Sequence, residues 1–246
     1  GRLLRWLPFE IEPVTMAEHI VKPAGDFIID DQTLHVLSDD RIVSITSDLF
    51  RSDKTPPVEE TRYVSFDSLP VDIDPGSRFV QNGEGAVLLW NPGADENPFS
   101  RYDTRRISVF PTELDAPDAL VSVDSLSEQV LTLTRSGLLE IHNQRTGETE
   151  FSYRGRGFQS AILTRRGVFV GRAAQGVLDS SVLRLNTQTR ETVPIDTATD
   201  LVFYLRFDAR RGRLYSIGIR SDRDGNPSTV IEMFEGLNFQ RRRTIL

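Results

Sequence analysis

The amino-acid sequence predicts an all-β fold made of about five repeated four-stranded antiparallel units. One observation is a short phrase that occurs five times: two apolar residues separated by one residue, then a polar or aromatic step into a turn. The apolar pairs are Val43 and Ile45, Val87 and Leu89, Leu139 and Ile141, Leu183 and Leu185, and Ile231 and Met233. Their first members lie 44, 52, 44 and 48 residues apart (43 to 87, 87 to 139, 139 to 183, 183 to 231). Because one four-stranded propeller blade takes roughly 40 to 50 residues, this period predicts a β-propeller.

A second observation is the period-2 alternation of the last repeat. Apolar side chains alternate through residues 201–207 and again through 215–219, as in pleated strands with one apolar face. The Asp224-Gly225 pair then suits a tight hairpin turn. Further strands are predicted at 229–234 and 239–245. Four strands in sequence order make this repeat a meander.

The other repeats are interpreted in the same way. Strands are predicted at 26–29, 33–37, 41–46 and 62–66; at 71–74, 78–81, 86–90 and 106–110; at 119–124, 129–134, 138–142 and 150–153; and at 160–163, 168–170, 182–185 and 192–195. The connections 47–60 and 91–103 are rich in Pro, Asp, Ser and Asn, which predicts surface loops. No stretch keeps an apolar 3.6-residue period between its prolines and glycines, so little helix is expected.

We therefore expect one β-propeller domain over residues 1–246. The approximate blades are 20–66, 67–111, 117–154, 158–197 and 200–246, with an extra N-terminal strand in 1–19. That strand adds to or closes a five- or six-bladed ring, or else the chain is a contiguous part of a larger ring. We favour a closed or nearly closed ring, because closure protects sheet edges.

The segment 137–148, GLLEIHNQRTGE, carries a family resemblance. It resembles the third strand and following turn of a WD-repeat propeller blade, with Leu139 and Ile141 in the apolar places. His142-Asn143 stands where that family often has Trp-Asp, and Thr146-Gly147 lies in the turn. Trp90-Asn91 falls at the same place in the second repeat. The resemblance implies a WD-repeat-like propeller scaffold.

Charge and composition narrow the class of partner. The net charge is −7, from 36 acidic and 29 basic residues, which argues against a general nucleic-acid binder because phosphate binding needs a concentrated positive surface. Only Lys22 and Lys54 are lysines, and we interpret the arginine bias mainly as the ancestry of a GC-rich bacterial genome. No apolar run is long enough to span a membrane, so a soluble chain is expected.

Compartment and oligomeric state stay open at the level of sequence. The absence of cysteine excludes disulfides, thiol catalysis and cysteine metal sites, and is compatible with oxidising and reducing compartments. The chain begins without an initiator methionine or a charged-then-apolar leader, so we expect that any targeting segment is not included. Localisation is therefore unknown.

Several residue groups carry chemistry in principle, and each has a structural interpretation that we favour. The three histidines, His19, His35 and His142, fall in different repeats without local partners at metal-ligand spacing. Most of the carboxylate pairs lie beside turn residues, where Asp commonly caps turns. Asp72 and Asp74 are the exception, because on a strand they would share one face. These pairs are Asp30-Asp31, Asp39-Asp40, Glu59-Glu60 and Asp72 with Asp74.

Two further patterns point to ions. Asp222, Asp224 and Asn226 alternate as in calcium loops, but the early glycine and Pro227 favour a hairpin turn. Arginine clusters at 105–106, 165–166, 210–213 and 241–243 are interpreted as solvated blade edges, with contact to phosphates or acidic partners as the alternative. In the RGRG stretch 154–157, glycine could also let backbone amides face an anion.

The sequence lacks a phosphate-loop pattern, a dinucleotide glycine triad, a nucleophile elbow and a zinc-binding His-Glu-x-x-His. We accordingly assign no catalytic, cofactor-binding or metal-ligating residue and expect no cofactor. The leading hypothesis is a non-enzymatic scaffold that presents loops to a protein or peptide. The alternatives are a propeller hydrolase or lyase acting on a sugar, lactone or ester at the channel mouth, and a sensor or envelope-assembly module of a longer protein.

Overall fold

In the computed structural model the chain divides into two compact units. The N-terminal unit comprises Gly1–Phe79 and Val87–Thr112, and the C-terminal unit comprises Val80–Ala86 and Glu113–Leu246. The structure describes residues 2–5, 14–18, 26–30, 33–38, 40–46, 60–71, 73, 76–80, 87–94, 98–114, 120–174, 179–209, 211–236 and 238–245.

The N-terminal unit carries the first ten strands, apart from Val80 at the end of the seventh, in three antiparallel sheets. A two-stranded sheet pairs β1 (Arg2–Arg5) with β2 (Val14–Glu18). The first four-stranded sheet contains β3 (Asp26–Asp30), β4 (Thr33–Leu37), β5 (Arg41–Thr46) and β6 (Glu60–Ser65), in that order. The second contains β7 (Arg78–Val80), β8 (Val87–Trp90), β9 (Phe99–Asp103) and β10 (Ser108–Pro111).

The C-terminal unit carries three more four-stranded sheets. The third sheet contains β11 (Leu120–Leu126), β12 (Gln129–Thr134), β13 (Leu138–Asn143) and β14 (Thr149–Arg154). The fourth contains β15 (Phe158–Thr164), β16 (Gly167–Arg172), β17 (Val182–Leu185) and β18 (Thr192–Ile195). The fifth contains β19 (Leu201–Asp208), β20 (Arg213–Ser221), β21 (Pro227–Glu235) and β22 (Gln240–Ile245).

The predicted all-β class and the four-stranded meanders are confirmed. Five four-stranded antiparallel sheets, each in simple sequence order, form among the described residues. The helical content of those residues is limited to one 3₁₀ turn at Phe66–Ser68. The sheets are propeller-like blades, whereas closure into a ring and the grouping into one domain stay predictions.

The second sheet is where the sequence-based prediction was wrong. The segment 91–103 was expected to be a loop, but its last five residues form β9, in which Phe99 and Tyr102 are fully buried. The strand predicted at 71–74 does not form at Val71 or Ile73, whose side chains instead pack against the core from an irregular segment. The predicted loop 47–60 lies outside the described residues except for Glu60.

Hydrophobic burial holds the sheets of the C-terminal unit together. One core cluster joins the third and fourth sheets through residues such as Leu131, Ile141 and Leu163, and a second joins the fourth and fifth through Phe169 and Phe234. The first strands β11, β15 and β19 lie side by side, since β15 contacts both of the others. Asp124 Oδ2 on β11 accepts a hydrogen bond of 2.6 Å from the Leu163 N–H on β15. This contact fixes the register between neighbouring sheets.

A four-stranded meander has two distinct ends, because its turns alternate between them. In the third and fourth sheets, one end carries the turns that join the first strand to the second and the third to the fourth. We call this the groove end. The other end carries the turn between the second and third strands and the connection to the next sheet, and we call it the rim end.

Candidate functional site

A groove opens between the third and fourth sheets at the groove end of the C-terminal unit. Its volume is about 510 Å³, and it is lined by both sheets. A smaller cavity of about 160 Å³ adjoins it and shares Leu126, Thr164 and Arg165 with it. The smaller cavity is also lined by Phe207, Ala209 and Gly212 at the turn that follows β19.

The floor of the groove is apolar and its border is polar. Ile141 and Leu163 are buried members of the core cluster, and Leu126 and Phe151 are half-buried residues packed against that cluster. The polar residues of the lining are Gln129, Glu150, Thr164, Arg165 and Thr187. Such a lining can accept an apolar side chain while its polar border meets main-chain or charged groups.

Glu150 is held in place by two side-chain amides. Its Oε2 accepts a hydrogen bond of 2.6 Å from Gln129 Nε2, and its Oε1 accepts one of 3.1 Å from Asn143 Nδ2. The side chain remains exposed at the groove border. The carboxylate is therefore oriented before any partner arrives, with lone pairs left for a further donor.

The two turns beside the groove share one local chemistry. Asn143 Oδ1 accepts hydrogen bonds from the backbone N–H groups of the second and third residues after it, and Asn186 Oδ1 does the same in the fourth sheet. Each turn then needs a residue with positive φ, which is Gly147 (72°) in the first and Arg190 (62°) in the second. The guanidinium of Arg190 lies 5.6 Å from the ring centre of Phe151, so this strained position also covers a groove wall.

Arg166, at the groove end, contacts the turn before β22 through its guanidinium. Its Nη1 donates to the Gly236 carbonyl at 3.3 Å, and its guanidinium lies 5.5 Å from the ring centre of Phe239. Phe239 itself packs edge-to-face on Phe169 with ring centres 4.6 Å apart. Arg166 therefore clamps the turn before β22 rather than standing as a free cation.

The two histidines that the structure describes are buried in different sheets and contact hydroxyl groups. His142 is buried on β13, where Nε2 lies 3.1 Å from Thr132 Oγ1 and Nδ1 lies 3.2 Å from Thr149 Oγ1. Burial lowers the pKa of His142, and Glu140 Oε2 at 3.9 Å from Nε2 opposes that shift only in part. In the N-terminal unit, buried His35 Nδ1 contacts Ser44 Oγ at 3.1 Å and Tyr102 Oη at 2.8 Å. His19 lies outside the described residues.

The carboxylate pairs are only partly described. Asp31, Asp39, Glu59, Asp72 and Asp74 lie outside the described residues. Asp40 forms an ion pair with Arg41, and the hydrogen bond from the Arg41 side chain lowers the pKa of Asp40. In the residues that the structure describes, no group of three or more His, Asp or Glu side chains could hold a metal ion.

The segment with Asp222, Asp224 and Asn226 forms the hairpin turn between β20 and β21. Asp222 Oδ1 accepts hydrogen bonds from the N–H groups of Asp224 and Asn226, and Oδ2 accepts one from Asn226 Nδ2. The pKa of Asp222 is lowered first by that Asn226 side chain and then by the backbone N–H groups. The carboxylate thus serves the turn.

The remaining arginine clusters make local contacts. Arg106 and Arg211 each pair with an aspartate three residues earlier, Asp103 at 3.9 Å and Asp208 at 3.0 Å. Arg213 pairs with Glu235, and Arg241 Nη1 lies 3.4 Å from buried Glu232 Oε1. Arg210 and the side chains of residues 242 and 243 lie outside the description. In the RGRG stretch, the Gly155 N–H donates to the Gly137 carbonyl at 3.0 Å, so this amide does not face an anion.

The groove was not predicted as a site from the sequence, which singled out only Ile141, as a repeated apolar position, and Arg165, in an arginine cluster. The lining residues come from strands and turns of two sheets that lie up to 61 positions apart, from Leu126 to Thr187, so no local spacing joins them. The one available signal is the repeated turn chemistry of 143–148 and 186–191, NQRTGE and NTQTRE, which marks two equivalent turns at one end of neighbouring blades.

Comparisons with known proteins concern the fold. No protein-family model matches the chain, and no curated protein matches it. Among solved structures it is similar to the structure of U3-55K, with 8% identity and a TM-score of 0.58, over 92% of this chain and 64% of that one. It is also similar to the extracellular domain of a one-component system from B. thetaiotaomicron, with 12% identity and a TM-score of 0.50, over 89% of this chain and 35% of that one.

Both likenesses are consistent with a propeller-like fold. The chain spans less than two thirds of the length of either structure, 64% and 35%. Within the described part of the chain, no helix has the length and hydrophobicity needed to cross a membrane.

Proposed function

We propose that this chain is a non-enzymatic, WD-repeat-like propeller scaffold that binds a segment of a protein or peptide in the groove between its third and fourth sheets. The observation that carries this proposal is the preformed groove of about 510 Å³, with an apolar floor and a polar border. Its volume lies within the roughly 300–1,000 Å³ typical of ligand-binding pockets.

The expected occupant is an extended segment with one apolar anchor residue. Leu126 is only half-buried, and so is Phe151, one face of which Arg190 already covers; an apolar side chain packed on the hydrocarbon left exposed removes it from water. The fixed Glu150 carboxylate is placed to accept from a main-chain N–H or a basic side chain beside that anchor. This combination favours a polypeptide over a purely hydrophobic ligand.

The mechanism is rigid presentation. The turn that includes Thr187 is ordered by the Asn186 side chain, and the opposite wall is ordered by the contact of Arg190 with Phe151. Since these walls are already fixed, less conformational entropy is lost when a partner binds. Glu150 is the single carboxylate in the described lining, and both of its oxygens accept from amides, so no acid–base pair supports a hydrolase or lyase there.

The test uses a displayed library of random linear peptides, selected against the full chain. Peptides with a shared apolar anchor are expected, and their affinity is then measured by fluorescence anisotropy. In the variant Thr187→Trp, the indole fills the groove from its border, so affinity should fall at least about tenfold. Gln188→Trp is the matched control, because Gln188 is an exposed residue of the same turn and does not line the groove.

The proposal fails if no peptide is enriched above an unrelated control protein. It also fails if Thr187→Trp and Gln188→Trp bind the selected peptides equally well. Deletion of residues 92–102 is unsuitable as a test, because it would remove four of the five residues of β9 and the buried Phe99 and Tyr102.

A further inference from the structure

Three arginines lie at the rim end of the third sheet, opposite the groove. Arg135 lies in the turn between β12 and β13, Arg154 ends β14, and Arg156 lies in the connection to β15. The register pairs Leu138 with Arg154. The Gly155 N–H donates to the Gly137 carbonyl at 3.0 Å, so turn and connection touch through their backbones. Arg135, Arg154 and Arg156, which we call the arginine rim, therefore share one edge.

The backbone under the arginine rim is rigid. A Cβ on Gly137 would stand 2.0 Å from the Gly155 carbonyl oxygen, and a Cβ on Gly155 would stand 2.0 Å from the ring of Phe158. Such close approaches are possible only for glycine. The turn is also tied by Thr134, whose Oγ1 accepts from the Leu138 N–H at 3.1 Å. Tyr153 and Phe158 stack across the connection with ring centres 6.2 Å apart.

The charge around the rim is one-sided. All three arginines are exposed, and no ion pair joins any of them to a carboxylate in the part of the chain that the structure describes. The sequence has no Asp or Glu at 130–139 or at 151–163, and Glu140, the next acid along β13, lies 3.9 Å from His142 Nε2. The positive charge of this edge contrasts with the net charge of the whole chain, which is −7. Like charges gathered on one edge create a positive field that attracts an anionic partner.

We propose that the arginine rim is a docking surface for an acidic, carboxylate-rich segment of a partner protein. Each guanidinium is a planar fork that can hold a carboxylate through two hydrogen bonds, so three arginines on one edge can bind several Glu or Asp side chains of one segment. This site is separate from the groove and does not rest on the function proposed for it. The two can be occupied independently.

The experiment uses a fluorescein-labelled glutamate-rich peptide and a glutamine-rich peptide of the same length, titrated with the full chain at low ionic strength. The glutamate peptide should bind, and the glutamine peptide should not. The affinity for the glutamate peptide should fall at least about tenfold in the double variant Arg135→Gln/Arg156→Gln, since two charge-assisted contacts are lost. It should also fall steeply as salt is added, because exposed charges are screened.

Arg145→Gln is the matched control. Arg145 is an exposed arginine of the same sheet, but it lies in the β13–β14 turn at the groove end. Its removal changes net charge without touching the rim, so affinity should stay within about twofold of wild type. The charge-reversed double variant Arg135→Glu/Arg156→Glu should bind a lysine-rich peptide instead. An unchanged thermal unfolding midpoint in each variant shows that the fold is kept.

Four results would overturn the proposal. They are absence of binding to the glutamate peptide at low salt, equal binding of the glutamine peptide, an equal loss in Arg145→Gln, and tighter binding of an RNA oligonucleotide than of the glutamate peptide through the same arginines. The groove-filling Thr187→Trp should leave glutamate-peptide binding unchanged. Failure of the groove and failure of the arginine rim are therefore distinguishable.

Discussion

The groove end and the rim end of the same sheets use arginine in opposite ways. At the groove end, Arg166 binds the Gly236 carbonyl and covers Phe239, and Arg190 covers Phe151. At the rim end, the three arginines are exposed without an ion pair to any described carboxylate. An arginine in the sequence can thus stabilise a wall or offer a charge. The contacts of its guanidinium, rather than its place in a cluster, separate the two roles.

The largest expected effect is at the groove end, where Phe239 supports Arg166. Phe239 is 2% exposed and packs against Phe169, so Phe239→Ala should lower the free energy of unfolding by about 3–5 kcal/mol. Phe203→Ala is the control, because Phe203 lies in the same sheet and is 44% exposed. It should change stability by less than about 1 kcal/mol. Denaturant unfolding measures both, and similar losses would mean that the Phe239 cluster does not hold this end together.

At the rim end, the contact between two glycine backbones is the next test. Gly137→Ala places a Cβ 2.0 Å from the Gly155 oxygen at φ 81°, whereas Gly225→Ala in the hairpin turn has φ 84° and open space. Left-handed strain alone should cost about 1–2 kcal/mol in Gly225→Ala. Gly137→Ala adds overpacking, for about 3 kcal/mol in total. Only Gly137→Ala should also weaken binding of the glutamate peptide. Equal losses of stability would remove the case for a rigid rim.

These two ends also show how far sequence reasoning reaches. The strands of the first, third, fourth and fifth sheets were predictable because their turns are encoded locally, as at Asn143 and at Asp222. Strand β9 was missed because its residues Phe99, Ser100 and Tyr102 are buried on both faces, which removes the period-2 signal, and because Pro and Asn precede it. Val71 and Ile73 show the period-2 alternation of a strand, but their side chains pack against the core from an irregular segment.

The candidate sites were less predictable than the fold. The arginine rim was visible in part as the RGRG stretch, but its third member, Arg135, joins only through the pairing of β13 with β14. The groove depends on how two sheets pack, since its floor residues Ile141 and Leu163 look like ordinary core positions in the sequence. Contacts between sheets cannot be derived from the spacing of residues within one blade.

A smaller effect compares single arginines from the two ends. Arg166→Ala should lower the free energy of unfolding by about 0.5–1 kcal/mol, because it removes the contact with the Phe239 ring and the Gly236 carbonyl. Arg135→Ala should change it by no more than about 0.5 kcal/mol, as expected of a solvated surface residue. Denaturant unfolding of both variants in parallel tests this. A loss at Arg135 as large as that at Arg166 would show that the rim is structural.

The smallest effect concerns His142, which lies near the groove end of β13 and pairs with Thr149, the first residue of β14. Burial lowers its pKa below the ordinary value of 6.5, so the folded state keeps the ring neutral at a pH where the unfolded state already takes up a proton. Its contribution is therefore complete above about pH 6.5 and is lost as the pH falls toward the folded-state pKa. The free energy of unfolding should fall less between pH 7.5 and 5.5 in His142→Gln than in the wild type, because the variant lacks this titrating group. An unchanged profile would show that the ring is not held neutral by burial.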